Sequence, residues 1–205
     1  MTERTVRRQA RGLKRMAQIL DAAEEIVAEI GYPDMTTNQV AARAGMSPGS
    51  LYQFFRNKEE ILDGLVARYT DGRAGFWEER LAAVTPDVPL ETLVDGLVDE
   101  SVAFKTRSPA YWSLLYGSAT GDKLAAASRR LHEAIAVQVA ALLRRRTPGL
   151  DEERARVMGT MAVAMVKAVM PMVSEAEPAR AAELVTELKR ALTAYLRNGP
   201  ETSNV

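Results

Sequence analysis

An all-α fold of about nine helices is predicted by three features of the chain. Apolar residues recur at three- and four-residue spacing over most of its length, cap-then-proline punctuation separates the runs, and no stretch alternates as a strand would. In the first run Met16, Ile19, Leu20, Ala23, Ile26, Val27 and Ile30 form one stripe, with Asp21, Glu24, Glu25 and Glu29 on a face expected to meet solvent. Gly31 ends this helix, and Pro33 prevents its continuation.

Thr36 and Gln39 stand at capping-box spacing and start a second helix, in which Val40, Ala41 and Ala44 give a small apolar face. Gly45 supplies the left-handed residue that closes it. Ser47 then caps a third helix with Pro48 at its first position. Leu51 and Phe55 point back at the second helix, while Gly49, Ser50 and Gln53 point away and Tyr52 takes the flank. Two short helices joined by a tight turn are a helix-turn-helix, whose second helix enters the DNA major groove. The bland alternative, a helical hairpin with a tidy turn, leaves Tyr52, Gln53 and Lys58 exposed without a reason.

The fourth helix follows without a linker, capped by Asn57 through Glu60, and Ile61, Leu62, Leu65 and Tyr69 carry its buried stripe. With no flexible segment between Phe55 and Ile61, it should bridge the two halves mechanically. Gly72 and Gly75 weaken it before Phe76 and Trp77, and a loop spans Thr85 to Pro89. A helix from about Leu90 to Thr106 comes next, with Leu93, Val94, Leu97, Val98, Val102 and Phe104 apolar. Ser108-Pro109 opens a short aromatic helix holding Tyr111, Trp112, Leu115 and Tyr116, which Gly117 to Gly121 breaks. A long helix from about Asp122 to Arg146 ends in Arg144-Arg145-Arg146, read as a solvated terminus suited to the negative end of the helix dipole. Asp151 caps a Met- and Ala-rich helix reaching about Glu175, and Pro178 to Gly199-Pro200 bounds the last one.

Taken as an ordered set, the helix from Gln18 to Ile30, Gly31-Tyr32, Thr36-Thr37, Val40-Ala41, Ala44-Gly45, Ser47 to Tyr52, Phe55 and Asn57-Lys58-Glu59 resembles the N-terminal domain of the TetR family of bacterial transcriptional regulators. The match covers roughly a quarter of the chain and carries no information about a ligand. The resemblance implies DNA contacts at Thr36, Thr37, Pro48, Gly49, Ser50, Tyr52, Gln53 and Lys58. Ser50 and Gln53 would read base edges, Thr36, Thr37, Tyr52 and Lys58 would hold phosphates, and Pro48 and Gly49 would allow close approach. Phe54 departs from the His or Tyr frequent in relatives and is left off this set. The resemblance also implies an effector cavity among the middle helices, with Phe104, Trp112, Tyr116, His132, Met161 and Met165 as candidates, although each alone reads as plain core or, for His132, as a surface or satisfied residue. It further implies a homodimer paired through the last two helices, with Met158, Ala162, Leu184, Leu188 and Leu192 as candidate contacts; the same composition suits intramolecular core.

Composition narrows the function. The chain of 205 residues is 47% hydrophobic and 26% charged, which is ordinary for a globular protein with a sizeable core. One histidine and no cysteine exclude disulfides, the common multi-His or Cys metal sites, and any nucleophile–His pair not built on His132. No Gly-rich phosphate loop is present, so neither an enzyme nor a cofactor is expected, and the Asp151-Glu152-Glu153 cluster reads as a helix start. The basic first residues lack an apolar signal core, and Lys167 and Pro171 interrupt the most apolar run, Val157 to Val173, which reads as a buried helix in a cytoplasmic protein that does not meet membranes. Net charge is zero, yet residues 1–58 carry nine Lys/Arg against six Asp/Glu, with Arg4, Arg7, Arg8, Arg11, Lys14 and Arg15 in the first fifteen. That segment to about Arg11 reads as an unstructured arm that reaches DNA phosphates or the minor groove.

These features lead to a two-part chain: residues 1–57 as basic arm and helix-turn-helix, and residues 58–205 as effector-binding and dimerisation domain. The expected role is a homodimeric repressor that leaves a pseudo-palindromic operator when a small, largely apolar effector binds. Two alternatives remain open at this level: a helical carrier or enzyme with a degenerate helix-turn-helix, and an architectural DNA-binding protein with no effector.

Overall fold

The structure, a computed structural model, describes residues 3–72, 74–116 and 122–198. Ten helices and no strand occur among the described residues: α1 (Glu3–Asp34), α2 (Thr37–Arg43), α3 (Pro48–Leu51), α4 (Lys58–Gly72), α5 (Ala74–Ala83), α6 (Leu90–Arg107), α7 (Pro109–Tyr116), α8 (Asp122–Arg146), α9 (Glu152–Glu175) and α10 (Pro178–Asn198). The count exceeds nine because the glycine-weakened stretch is two helices, α4 and α5, instead of one frayed run. The expected break at Gly117–Gly121, the stop at Gly199-Pro200, and the start of the arm at Met1-Thr2 lie outside the described residues.

α1 begins at Glu3, so the backbone predicted to be an unstructured arm is a helical extension. Its Arg, Gln, Ala, Leu and Lys residues are strong helix formers, and Leu13 within it is 68% exposed. Further along, Ile19, Leu20, Ala23, Ile26 and Val27 are buried as the stripe predicts, while Met16 and Ile30 at its ends are exposed. The helix breaks at Gly31, whose φ of 79° lies in the left-handed region. Asp21, Glu25 and Glu29 on the acidic face of α1 are exposed as predicted, and Glu24 is half-buried; all four are also ion-paired. Arg68 on α4 reaches both Asp21 and Glu24, and Arg43 at the end of α2 lies 3.2 Å from Glu25 and 2.8 Å from Glu29. Four carboxylates thus tie α1 to the helices on either side.

Two apolar cores form. The first joins α1 to α4 and extends into α7 and α8 through Ala110, Tyr111, Leu114, Leu115, Leu124, Ala127 and Leu131. The second gathers α5, α6, the C-terminal half of α8, α9 and α10. The first core therefore crosses position 57: α4 packs on α1 and α8, and α7 packs on α1 as well. The C-terminal arginines of α8 also differ from the solvated end that was predicted. Arg145 Nε donates to Val84 O and Arg146 Nε to Val88 O, both at 2.9 Å, while Arg144 pairs with Glu152 at 3.2 Å. Together they fasten the α5–α6 loop and the start of α9 to one helix end.

α9 corrects two expectations. It buries only one face, through Ala155, Met158, Gly159, Ala162 and Met170, so it is not a wholly buried helix. Val157, Met161 and Met172 are exposed instead. Of the candidate dimer contacts, Met158, Ala162, Leu188 and Leu192 point into the chain's own core, at 1%, 6%, 3% and 4% exposure, and only Leu184 is half-buried. Side chains filling one protomer's core have no surface to offer a partner.

α8 and α9 form the most extensive helix pair, and Gly159 sets their separation. A Cβ there would stand 2.5 Å from Ala136 O and 3.3 Å from Ala140 Cβ. Gly159→Ala should therefore destabilise the fold by about 1–3 kcal/mol through overpacking, despite alanine's better helix propensity. A denaturant midpoint equal to or above that of the parent chain would contradict the close crossing.

Candidate nucleic-acid interface and internal cavity

The turn between α2 and α3 is built by local hydrogen bonds. Thr36 Oγ1 accepts from Gln39 N at 3.2 Å while Thr36 N donates to Gln39 Oε1 at 2.8 Å, the reciprocal capping box that the sequence predicts. Gly45, with φ of 66°, reverses the chain, and Ser47 Oγ accepts from Ser50 N at 3.2 Å. Leu51 and Phe55 are buried against the same core as Val40 and Ala41. The helical part of α3 is only four residues, continued as turn to Phe55 by the bond from Phe55 N to Leu51 O at 3.0 Å.

This scaffold leaves Pro48, Gly49 and Gln53 exposed, and Gln53 makes no side-chain hydrogen bond within the described residues. Ser50 is half-buried, its hydroxyl 2.9 Å from Ser47 Oγ. Tyr52 is 47% exposed and its hydroxyl lies 3.2 Å from Thr37 Oγ1, so α3 and the start of α2 share one polar edge. Thr36 Oγ1 is engaged in its cap, and Phe54 leans onto the core. Lys58 holds a position of its own: Nζ donates to Pro33 O at 2.7 Å and sits 4.5 Å above the Tyr32 ring. It secures the turn that follows Gly31. Burial, reinforced by Glu59 and Asp63, pushes the Tyr32 phenol up to about 12. Arg43 and Arg56 are neutralised locally by Glu25, Glu29 and Glu60, so the cations of this half are not all available to a phosphate backbone.

An apolar cavity of about 90 Å³ lies between α5, α6, α7, α8, α9 and α10. Phe104, Tyr116 and His132 line it as predicted. Trp112, Met161 and Met165 do not: Trp112 stacks on the Tyr116 ring at 4.4 Å, Met161 is 46% exposed on the outer face of α9, and Met165 packs into the second core. Ala162 and Leu192, assigned to an interface by sequence, are wall residues instead. Sequence reasoning passed over Phe76, Trp77, Glu100 and Tyr111 in this wall; the Tyr111/Leu115 spacing of four residues was the available signal for the last. Tyr111 stands between two rings, 5.0 Å from Phe104 on α6 and 4.5 Å from Tyr69 on α4. A separate groove of about 290 Å³ runs outside between α8 and α9, past Arg129, Glu133, Arg156 and Lys167, and shares His132 and Val163 with the cavity wall.

His132 is 8% exposed. Its Nδ1 lies 2.7 Å from Ser128 O, an acceptor only, so Nδ1 carries the proton and Nε2 the lone pair. Burial pushes the ring below the usual histidine range; the Ser128 carbonyl opposes this, and Lys167 adds to it. Folding thus favours the neutral ring. Between the depressed folded value and about 6.5 the unfolded chain binds more protons, so stability falls as pH drops through that window. Nuclear magnetic resonance of the only histidine should show titration below about 6.5, and His132→Leu should remove its share of the pH dependence. Titration at or above that value would contradict a buried neutral ring.

Two family signatures match the chain. The one described as bacterial regulatory proteins, tetR family, covers residues 19–65, and the one described as tetracyclin repressor-like, C-terminal domain, covers residues 89–196. Among curated proteins, the fatty acid metabolism regulator protein of Bacillus subtilis is 46% identical over 48 residues, 23% of this chain and 25% of that protein. The HTH-type transcriptional regulator BetI of Escherichia coli is 33% identical over 90 residues, 42% of this chain and 46% of that protein. The chain thus spans less than half the length of these curated relatives. A TetR-family regulator from Streptomyces coelicolor superposes with a TM-score of 0.64 at 26% identity, over 89% of this chain and 98% of that one. FadR from Bacillus subtilis, in complex with stearoyl-CoA, superposes with a TM-score of 0.61 at 20% identity and the same coverage. Both halves of the chain, the helix-turn-helix and the helical body behind it, therefore belong to the TetR family of bacterial regulatory proteins.

Proposed function

We propose that the chain is a homodimeric, cytoplasmic transcriptional repressor that reads a pseudo-palindromic operator with the exposed edge of α3 and leaves it when a small, largely apolar effector enters the cavity. Residues 1–57 supply the DNA-reading part and residues 58–205 the sensing and pairing part. The observation that carries this reading is the shared position of α7. Tyr111 and Leu115 line the cavity and also belong to the core that holds α1 to α4. A ligand that enlarges a cavity of about 90 Å³ must displace its walls, because ligand pockets typically measure about 300–1,000 Å³. Displacing α7 moves the support of the helix-turn-helix, and two heads held in register about 34–36 Å apart lose their match to the major groove.

Gln53 and Ser50 are the proposed base-edge readers, with Pro48 and Gly49 permitting close approach and Thr36, Thr37, Tyr52 and Lys58 setting register on phosphates. Dimerisation is proposed on the outer face of the last two helices. There α9 leaves Val157, Met161 and Met172 exposed, and Leu184 on α10 is half-buried. A single short helix reads few base pairs, and a two-fold pair doubles the site. Of the fold neighbours, one holds stearoyl-CoA and another, SmeT, holds triclosan; the apolar wall here suits a largely apolar ligand.

A binding selection from genomic fragments should return a palindromic promoter sequence. On that sequence Gln53→Ala should lose about 1–3 kcal/mol of discrimination at one base pair in each half-site, with the fold unchanged. Lys58→Ala should weaken all sequences alike and flatten the salt dependence by about one phosphate per protomer. It should also lower the thermal midpoint, because the bond to Pro33 O is lost. Unchanged operator preference in Gln53→Ala would show that another surface reads the bases.

A further inference from the structure

The cavity wall is apolar apart from a few groups, and most of those are already engaged. The Glu100 carboxylate pairs with Arg107, and Ser101 Oγ donates to Leu97 O at 2.9 Å. His132 differs. Its Nδ1 is fixed on Ser128 O at 2.7 Å, Ser128 Oγ in turn donates to Leu115 O at 3.1 Å, and the ring stands edge-on to Tyr116 with centroids 5.8 Å apart. Those contacts set the ring's orientation and its tautomer. They leave Nε2 as a buried acceptor with no hydrogen-bond partner among the described residues. A buried acceptor in an apolar wall is costly unless something donates to it, and a site of this kind discriminates strongly between a ligand that carries the donor and one that lacks it.

We propose that His132 is the polar anchor of the effector cavity, and that the effector class is an apolar body bearing a hydrogen-bond donor, a hydroxyl or an N–H, which it gives to His132 Nε2. This rests on the reading of the cavity as the effector site. An anion does not fit: a carboxylate has no proton to donate and would face the Nε2 lone pair in an apolar wall. A plain hydrocarbon fills the cavity but leaves Nε2 unpaired. The donor is thus what separates the effector from other apolar molecules of the same size.

The test uses the full chain and the near-isosteric pair phenol and toluene, with binding measured by calorimetry and the ring nitrogens of the single histidine followed by 15N resonance. Phenol should bind about tenfold more tightly than toluene, the scale of a hydrogen bond to an otherwise unpaired group. It should also shift the Nε2 resonance, while toluene leaves it in place. In His132→Phe the two probes should bind equally, and His132→Leu serves if that variant does not fold; the wild-type pair tests the proposal without either. Equal binding of both probes with Nε2 unmoved would overturn the anchor and leave the cavity standing as the effector site. A phenol preference that survived in the variants would also overturn it, by placing the acceptor elsewhere. Binding of neither probe would overturn the anchor together with the cavity reading.

Discussion

Tyr111 is the contact on which the two halves of this molecule depend. The side chain is 3% exposed and lies between Phe104, in the cavity wall, and Tyr69, on the helix that follows the helix-turn-helix. Packed interiors do not deform continuously, so a ring held on two sides transmits a displacement from one neighbour to the other. α4 continues from the helix-turn-helix with only Arg56 and Asn57 between Phe55 and its first residue, and it packs on both α1 and α8. The connection therefore has two strands, one covalent through α4 and one packed through α7. The continuous helix anticipated from sequence is only the first of these.

Charge is organised to serve the same end. The chain is neutral overall, and several of its cations are bound within the fold: Arg43 and Arg68 clamp α1, Arg145 and Arg146 hold the α5–α6 loop, and Lys58 caps the turn at Pro33. Arginine suits such positions because its planar fork meets two acceptors at once, as Arg43 does with Glu29. The surface proposed for DNA is a short polar edge around Gln53 and Tyr52, with Lys58 serving both the fold and a phosphate. In the proposed dimer, specific binding depends on how the two edges are spaced and less on a broad positive surface.

The helix-turn-helix was legible residue by residue because its signals are local. A capping box, a left-handed glycine and a serine–proline start each act over three or four residues, and Thr36/Gln39, Gly45 and Ser47-Pro48 all appear where the pattern puts them. The cavity and the pairing surface were harder because they depend on which face of a helix turns inward. In α9, Met, Ala and Val lie on both faces, so Met158 and Met161, three residues apart, could be assigned only once packing was known; one is 1% exposed and the other 46%. Trp112 and Tyr111 are adjacent and equally aromatic, yet only Tyr111 reaches the cavity. The arginines at the end of α8 belong to the same class of failure. Their acceptors, Val84 O and Val88 O, are some sixty residues away, and backbone carbonyls leave no mark in a sequence.

Coupling between cavity and operator is the central claim, and it is reciprocal: if a ligand weakens operator binding, the operator weakens ligand binding by the same factor. The direct measurement is the affinity of a cavity ligand with and without saturating operator, in the wild-type chain and in Tyr111→Leu. The wild-type ratio should lie within about 5–150-fold, the usual range of such couplings, and should fall towards one in the variant while both sites still bind. A ratio of one in the wild type, or a ratio that Tyr111→Leu leaves unchanged, would contradict the account.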